Sequence, residues 1–269
     1  MTFRRVILTH GGAGVDSKHA DGTLAAAGIG MDLMVNGQSA LAASVHAVRC
    51  LEDDPRFNAG TGSRLRSDGL TIQMDASCMV SDGAFGAVTG VEGIRNPIDI
   101  AHAVLLYSPH ILIAGEGATQ FARENNLALR SLEPANESEE DTASQTPGCD
   151  TVGAVAFDGE SFAAALSSGG VSESAIGRVG DVPLPGCGLY CGPAGAVACT
   201  GDGEFIALKI LAREVYGWLE QNVPPRDAVQ RALSLFDDGV DIGLIVATST
   251  AFAADARDGM PWSYLADSS

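Results

Sequence analysis

Lysine is nearly absent from this chain: Lys18 and Lys209 are the only two, and the other basic side chains are arginines. Against 34 Asp and Glu, the 16 Lys and Arg leave a formal net charge of −18, which repels phosphate backbones and anionic lipid headgroups alike. Nucleic acid and membrane surfaces are therefore excluded as expected partners. Aromatic residues make up only 6%, so the core is expected to be small and aliphatic. No apolar run approaches the ~20 residues needed to cross a bilayer. The run in "MTFRRVILTHGGAG" is also too short for a signal-peptide core, which makes the cytoplasm the expected compartment. The six cysteines (Cys50, Cys78, Cys149, Cys187, Cys191 and Cys199) have no CxxC spacing, and the five histidines form no HExxH pattern. They point to neither a disulfide framework nor a transition-metal site, and the cysteines read as reduced, buried small hydrophobes.

What is present is a chain of 269 residues, 46% of them hydrophobic, with 33 glycines. That is enough to bury a substantial core, with many tight turns and close backbone approaches. "RVILTH" (5–10) reads as a buried strand. "GQSALAASVHAVRCLEDD" carries Leu41, Val45, Val48 and Leu51 at helical spacing and predicts an amphipathic helix. "LTIQMDAS" and "AFGAVTGVEG" read as strands joined by a turn at "SDG". "NPIDIAHAVLLYSP" starts a helix with Asn96 as N-cap and Pro97 at the first position, and "GATQFARENN" is a further short helix. Downstream, "TVGAVAFDG" with "SFAAALSSGG" and "GCGLYCGPAGAVACTGDG" read as strand pairs, and "DIGLIVATSTAFAAD" as a strand. "EFIALKILAREVYGWLEQ" and "PRDAVQRALSLFDDG" are helical, the latter ended by Gly239. Segregated blocks of strands and helices fit an α+β fold, a four-layer αββα sandwich with two mainly antiparallel sheets, better than a doubly wound sheet.

Residues 131–149 lose all periodicity and become acidic and Ser/Thr/Pro-rich, a flexible linker by composition. It leads directly into Asp150 and Thr151 at the head of an apolar strand. If the Asp150–Thr151 bond were cut, Thr151 would carry a hydroxyl and a free α-amine two bonds apart. An α-amine titrates near ~7.7–8.0 and could accept the hydroxyl proton at neutral pH. The plainer alternative is a β-branched residue opening a strand after an acidic loop. Ser168 in "SSGG" could lie beside Thr151 or simply close an ST-turn. Arg178 and Asp181 in "GRVGD" suit the carboxylate and ammonium of an amino-acid head group, or form a surface salt bridge. Thr200 and Gly201 in "CTGDGE" are candidate oxyanion donors, unless the segment is only a turn in which Asp202 or Glu204 caps the next helix.

Taken together and in order, "HGGAG" (10–14), "FNAGTGS" (57–63), "CDTVGAVAFDG", "SSGG", "GRVGD" and "TGDGE" resemble the plant-type L-asparaginase and isoaspartyl aminopeptidase family of threonine-dependent N-terminal nucleophile hydrolases. The resemblance covers nearly the whole chain. It implies one domain that cleaves itself into chains 1–150 and 151–269, folded together as an αββα sandwich and paired as a homodimer of αβ units. It further implies Thr151 as nucleophile and, through its amine, base. Ser168 stands in place of the family's usual threonine, and Asn58 helps position the nucleophile. Arg178 and Asp181 hold the substrate's α-carboxylate and α-ammonium, Thr200 and Gly201 form the oxyanion hole, and Gly203 shapes that loop. No cofactor is implied for catalysis. A structural sodium is implied, on the main-chain carbonyls of Leu51, Asp54, Phe57, Ala59 and Thr61.

The expected substrates are small β-aspartyl dipeptides and L-asparagine, and the acidic surface favours cationic leaving groups. Asp150, where many plant-type members have glycine, resembles glycosylasparaginases and the threonine endopeptidase taspase, and the taspase likeness extends to "SSGG", "GCG" and "ILARE". Yet an endopeptidase substrate has no free α-ammonium to pair with Asp181, and a buried carboxylate left unpartnered is costly. The rival readings are therefore a glycosylasparaginase, a taspase-like endopeptidase and an uncut, non-catalytic homologue.

Overall fold

The computed structural model describes residues 2–15, 17–127 and 151–268; the 131–149 stretch, Cys149 and Asp150 lie outside them. The first part runs β1 (Phe3–His10), α1 (Ala20–Val35), α2 (Ala40–Asp53), β2 (Met74–Val80), β3 (Phe85–Val91), α3 (Pro97–Tyr107), β4 (Leu112–Ala114) and α4 (Glu116–Glu124). The second part begins with β5 (Thr151–Phe157), β6 (Phe162–Ser168), β7 (Leu189–Gly192) and β8 (Gly195–Gly201). It continues through α5 (Gly203–Lys209), α6 (Leu211–Glu220), α7 (Pro225–Leu233), β9 (Ile242–Ala247), β10 (Phe252–Ala256) and β11 (Trp262–Ser268). The strands form two sheets, ordered β11-β1-β5-β6-β2-β3-β4 and β10-β9-β8-β7. Among the strand pairs of the described residues, β3–β4 alone is parallel.

The central strands are buried on both faces, which is why "TVGAVAF" shows no polar alternation. Val152, Ala154 and Ala156 join the apolar cluster formed with α1, α2 and α3. Val155 and Phe157 join a second cluster with Ala196, Ala198 and Ile245 of the smaller sheet. A third cluster unites Val197, Cys199 and Leu244 with α6 and α7. The two parts of the chain are interleaved: β1 pairs with both β5 and β11, and β2 pairs with β6. All five described cysteines are free thiols, and four of them are buried.

Several elements depart from the sequence expectation. α1 and β11 have no clear sequence signal: α1 contains Gly22, Gly28 and Gly30, and an ideal Cβ on Gly30 would stand 3.0 Å from the Ala43 carbonyl of α2. Glycine there is what lets the two helices touch. β2 starts only at Met74, so "LTIQ" is not strand. "DIGLIVATSTAFAAD" is two strands, because the Thr248 hydroxyl accepts from the amides of Thr250 and Ala251 and turns the chain. The long helix predicted from Glu204 breaks at Ile210, in left-handed conformation at φ 49. The amides of Ala212 and Arg213 donate to Cys187 and Gly186 rather than continuing the helix.

Asn96 precedes Pro97 as expected but makes no cap bond. Its Nδ2 donates to Glu52 and Asp53, while Glu52 Oε1 accepts from the Ile98 amide and from Ser167 Oγ. A fully buried carboxylate thus ties α2 and α3 to β6, and burial pushes its pKa up to about 8.

α7 ends at Leu233, well before Gly239, because Arg257 takes over the terminal carbonyls. Its guanidinium donates to Leu233, Phe236, Asp237 and Val240. Arg257→Ala is therefore expected to cost about 2 kcal/mol, since carbonyls lose charge-assisted partners. Urea denaturation monitored by circular dichroism measures it; an unchanged midpoint contradicts the capping role.

Candidate active site

Within a strand, alternate residues share a face, and directly paired residues on neighbouring strands point the same way. On β6, Phe162, Ala164 and Leu166 face the smaller sheet, so Ser168 continues that row. Thr151 is paired directly with Ser168, and Ser168 in turn with Asp75. Thr151, Ser168 and Asp75 therefore form one rung across β5, β6 and β2, at the rim of the space between the sheets. From the opposite wall, Ala196 and Ala198 of β8 face the same space, and Thr200 follows in the same alternation. The inter-sheet core is apolar until this end, where hydroxyls and a carboxylate replace it.

The rung borders a cavity of about 10 Å³ whose wall also includes Arg178, Asp181 and Gly201. Thr200 Oγ accepts from the Thr151 amide at 3.3 Å and from the Ala13 amide at 3.2 Å. A hydroxyl has two acceptor sites and one proton; with both sites filled, Thr200 is left as a donor. Ser168 Oγ accepts from the Gly170 amide at 3.2 Å, so the ST-turn forms and the hydroxyl still stands beside Thr151. Asn58 is not on the cavity wall. It braces the turn from below, its Nδ2 donating to the Gly170 carbonyl at 2.6 Å and its own carbonyl accepting from Gly169.

Asp181 is 4% exposed, and its Oδ2 has no hydrogen-bond partner. Burial foremost, with Asp75 and Glu204 adding to it and Arg178 opposing, raises its pKa to about 7. Arg178 borders the cavity and also grips Glu204, at 2.8 Å from Nε and 2.7 Å from Nη2. The salt bridge therefore forms, and the same arginine lines the cavity. An ideal Cβ on Gly203 would lie 2.7 Å from Asp181 Oδ1 and 2.9 Å from Arg178 Nη2, so a side chain there would displace both groups. Neither Asp202 nor Glu204 caps α5: Asp202 accepts from the Asp241 amide, and Glu204 is held by Arg178.

Two wall or near-wall residues escaped the sequence reading. His10 is fully buried and held neutral, its pKa lowered to about 3 by burial, and its ring lies against Gly153 on β5. Asp75 is 1% exposed, and its signal was a lone carboxylate inside the apolar strand "MDASCMV".

Among the described residues no cluster of His, Cys, Asp or Glu side chains could hold a metal, so the loop from Leu51 to Thr61 is a matter of carbonyls. Those of Leu51, Asp54, Phe57 and Ala59 each accept one backbone amide, leaving a second lone pair on each. Thr61 Oγ is buried without a partner in the same loop. This all-oxygen donor set suits a hard cation.

Two sheets whose facing surfaces end in a threonine at a strand head, a second hydroxyl and a buried carboxylate define a class: a mixed α and β protein with a small polar cavity at the rim of its inter-sheet space. The chain belongs to the asparaginase family, whose model matches residues 4–145 and 130–264. It is 35% identical over 296 residues to the plant-type L-asparaginase of Pyrococcus horikoshii, a match covering 97% of this chain and 96% of that one. To the isoaspartyl peptidase/L-asparaginase of Homo sapiens it is 36% identical over 97% of this chain and 93% of that one, and to that of Danio rerio 38% over 88% and 83%.

Proposed function

We propose that this protein is a self-processing amidohydrolase that releases L-aspartate from β-aspartyl dipeptides and L-asparagine. The Thr200 hydroxyl carries the reading: its acceptor sites are filled by Thr151 and Ala13, so its proton is free to meet a developing oxyanion next to the Thr151 side chain. In self-processing the Thr151 hydroxyl attacks the preceding carbonyl, the acyl group passes from nitrogen to oxygen, and water hydrolyses the ester, which leaves Thr151 with a free amine.

The amine then takes the hydroxyl proton, and Oγ attacks the substrate's β-carbonyl carbon. Thr200 and Gly201 stabilise the oxyanion while Ser168 keeps the nucleophile in place. Collapse expels the amine product, which leaves with the proton, and water cleaves the acyl-enzyme to free aspartate. Arg178 holds the α-carboxylate and Asp181 the α-ammonium. The unpartnered Asp181 Oδ2 favours a substrate with an intact aspartyl head group over a protein cut in mid-chain.

On this reading the layers described above form the αββα sandwich of N-terminal nucleophile hydrolases, cut as 1–150 and 151–269 and paired as a homodimer of αβ units. The carbonyls of Leu51, Asp54, Phe57, Ala59 and Thr61 would hold a sodium ion that stiffens the loop carrying Asn58 and takes no part in the reaction. The free thiols of the described cysteines are in keeping with the cytoplasm, and among the described residues no helix is long and apolar enough to cross a membrane.

Purified protein is expected to show two fragments on denaturing electrophoresis. These should co-elute under native conditions, because β1, β5 and β11 share one sheet, and release aspartate from asparagine and β-Asp-Leu. One persistent uncut band without aspartate release refutes the proposal.

A further inference from the structure

The mechanism above leaves Asp75 unused, although it stands in the same rung as Thr151 and Ser168. The carboxylate is nearly inaccessible and firmly placed: Oδ1 accepts from Thr89 Oγ at 2.7 Å and from the Gly90 amide at 3.0 Å. Behind the rung lies Arg66, 1% exposed, whose guanidinium is anchored to the Ser174 hydroxyl and the Gln73 carbonyl. An ideal Cβ on Gly170 would come within 2.7 Å of its Nη1. Asp75 and Asp181 border one cavity of about 10 Å³, so any group in that space is within a few ångströms of both.

The cation on the same wall, Arg178, already has two bonds to the Glu204 carboxylate. Asp75 is also among the charges that raise the proton affinity of Asp181. Two cations, Arg66 coupled to Asp75 and Arg178 bonded to Glu204, stand against the three carboxylates Asp75, Asp181 and Glu204, so the site is short of positive charge, and Asp181 Oδ2 is buried without a partner. A ligand that supplies a cation relieves both carboxylates; one that lacks it leaves them facing each other.

We propose that Asp75 is a second recognition carboxylate of this pocket, sharing the substrate's α-ammonium with Asp181 and so making a free α-ammonium the feature by which substrates are selected. The inference rests on the function proposed above.

Competition against asparagine hydrolysis by L-aspartate and by succinate, the same diacid without the ammonium, tests it. The wild-type protein is expected to bind L-aspartate far more tightly than succinate. Asp75→Asn is expected to narrow that ratio by about 10- to 100-fold, through weaker L-aspartate binding and a higher KM for asparagine, with succinate much less affected. Thr89→Val, which keeps the carboxylate but removes its tether, should narrow the ratio less and in the same direction. Equal weakening of both diacids overturns the proposal, because a merely structural role predicts it. So does a pair of variants, Asp75→Asn and Asp75→Glu, that both stay uncut and inactive, since Asp75 would then serve folding or self-cleavage. A wild-type protein that leaves asparagine intact instead overturns the function proposed above.

Discussion

Thr151→Ala is expected to remain a single chain of 269 residues and to release aspartate more slowly by about 10⁶-fold, the scale of removing a hydrolase nucleophile. Two losses coincide. Without the hydroxyl nothing attacks the carbonyl before residue 151, so the chain is not cut. Without the cut, residue 151 keeps an amide, which cannot accept a proton, so the site has no base even for a nucleophile supplied otherwise. The fold should survive, because residue 151 only opens β5, and the ladder to β6 is made by the backbone along its whole length. Thr151→Ser separates the effects: it retains hydroxyl and amine and loses the methyl that fixes the side-chain rotamer, so it should still cut itself and turn over slowly. Intact-mass measurement with an aspartate-release assay checks both variants. A Thr151→Ala chain found cleaved and active would remove the central premise.

Asp181→Asn is expected to lower kcat/KM for asparagine by about 10²- to 10³-fold, chiefly through KM, as for truncation of a buried charge pair. The amide keeps the shape and removes the charge, so the ammonium loses its principal counter-ion. The pH dependence gives an independent reading. Burial raises the Asp181 pKa to about 7, so in the free protein this group is neutral below that pH and ionised above it. Binding a cation requires the ionised form, and KM should therefore rise as pH falls through 7.

Stability has the opposite sign. The folded state holds this proton more tightly than the unfolded chain, so the Asp181 contribution to stability is largest in acid and declines as pH rises from about 4 to about 7. Under the proposed self-cleavage, a free Thr151 amine should add a second limb near ~7.7–8.0. In Asp181→Asn only that second limb should remain; a profile that keeps both limbs assigns the lower one to another group.

The strand beginning at Thr151, its hairpin with "SFAAALSS", and the glycine-rich turns around Arg178 and Gly203 were all legible from residue order. Local chemistry makes them so: β-branched and small apolar runs between Gly and Asp turns have few other solutions. Helix ends were less legible, because partners remote in sequence set them. Ile210 breaks a continuous helical pattern once the 186–187 loop takes the next amides, and Arg257 ends α7 from across the sheet edge. Asn58 was legible as a motif residue, but its bond to Gly170 places it at the turn next to Ser168 rather than at the cavity wall.

By itself the sequence determined which residues carry hydroxyls, charge and conformational freedom, and, through the two-residue period of each strand, which of them share a face. The tertiary structure alone decided which strands lie side by side. Pairing β2 against β6 sets Asp75 level with Ser168 and Thr151, and stacking the smaller sheet opposite brings Thr200 to the Thr151 amide. The physical reason is that periodicity is a property of one strand, whereas register and stacking come from burying two apolar faces against each other across long sequence separations.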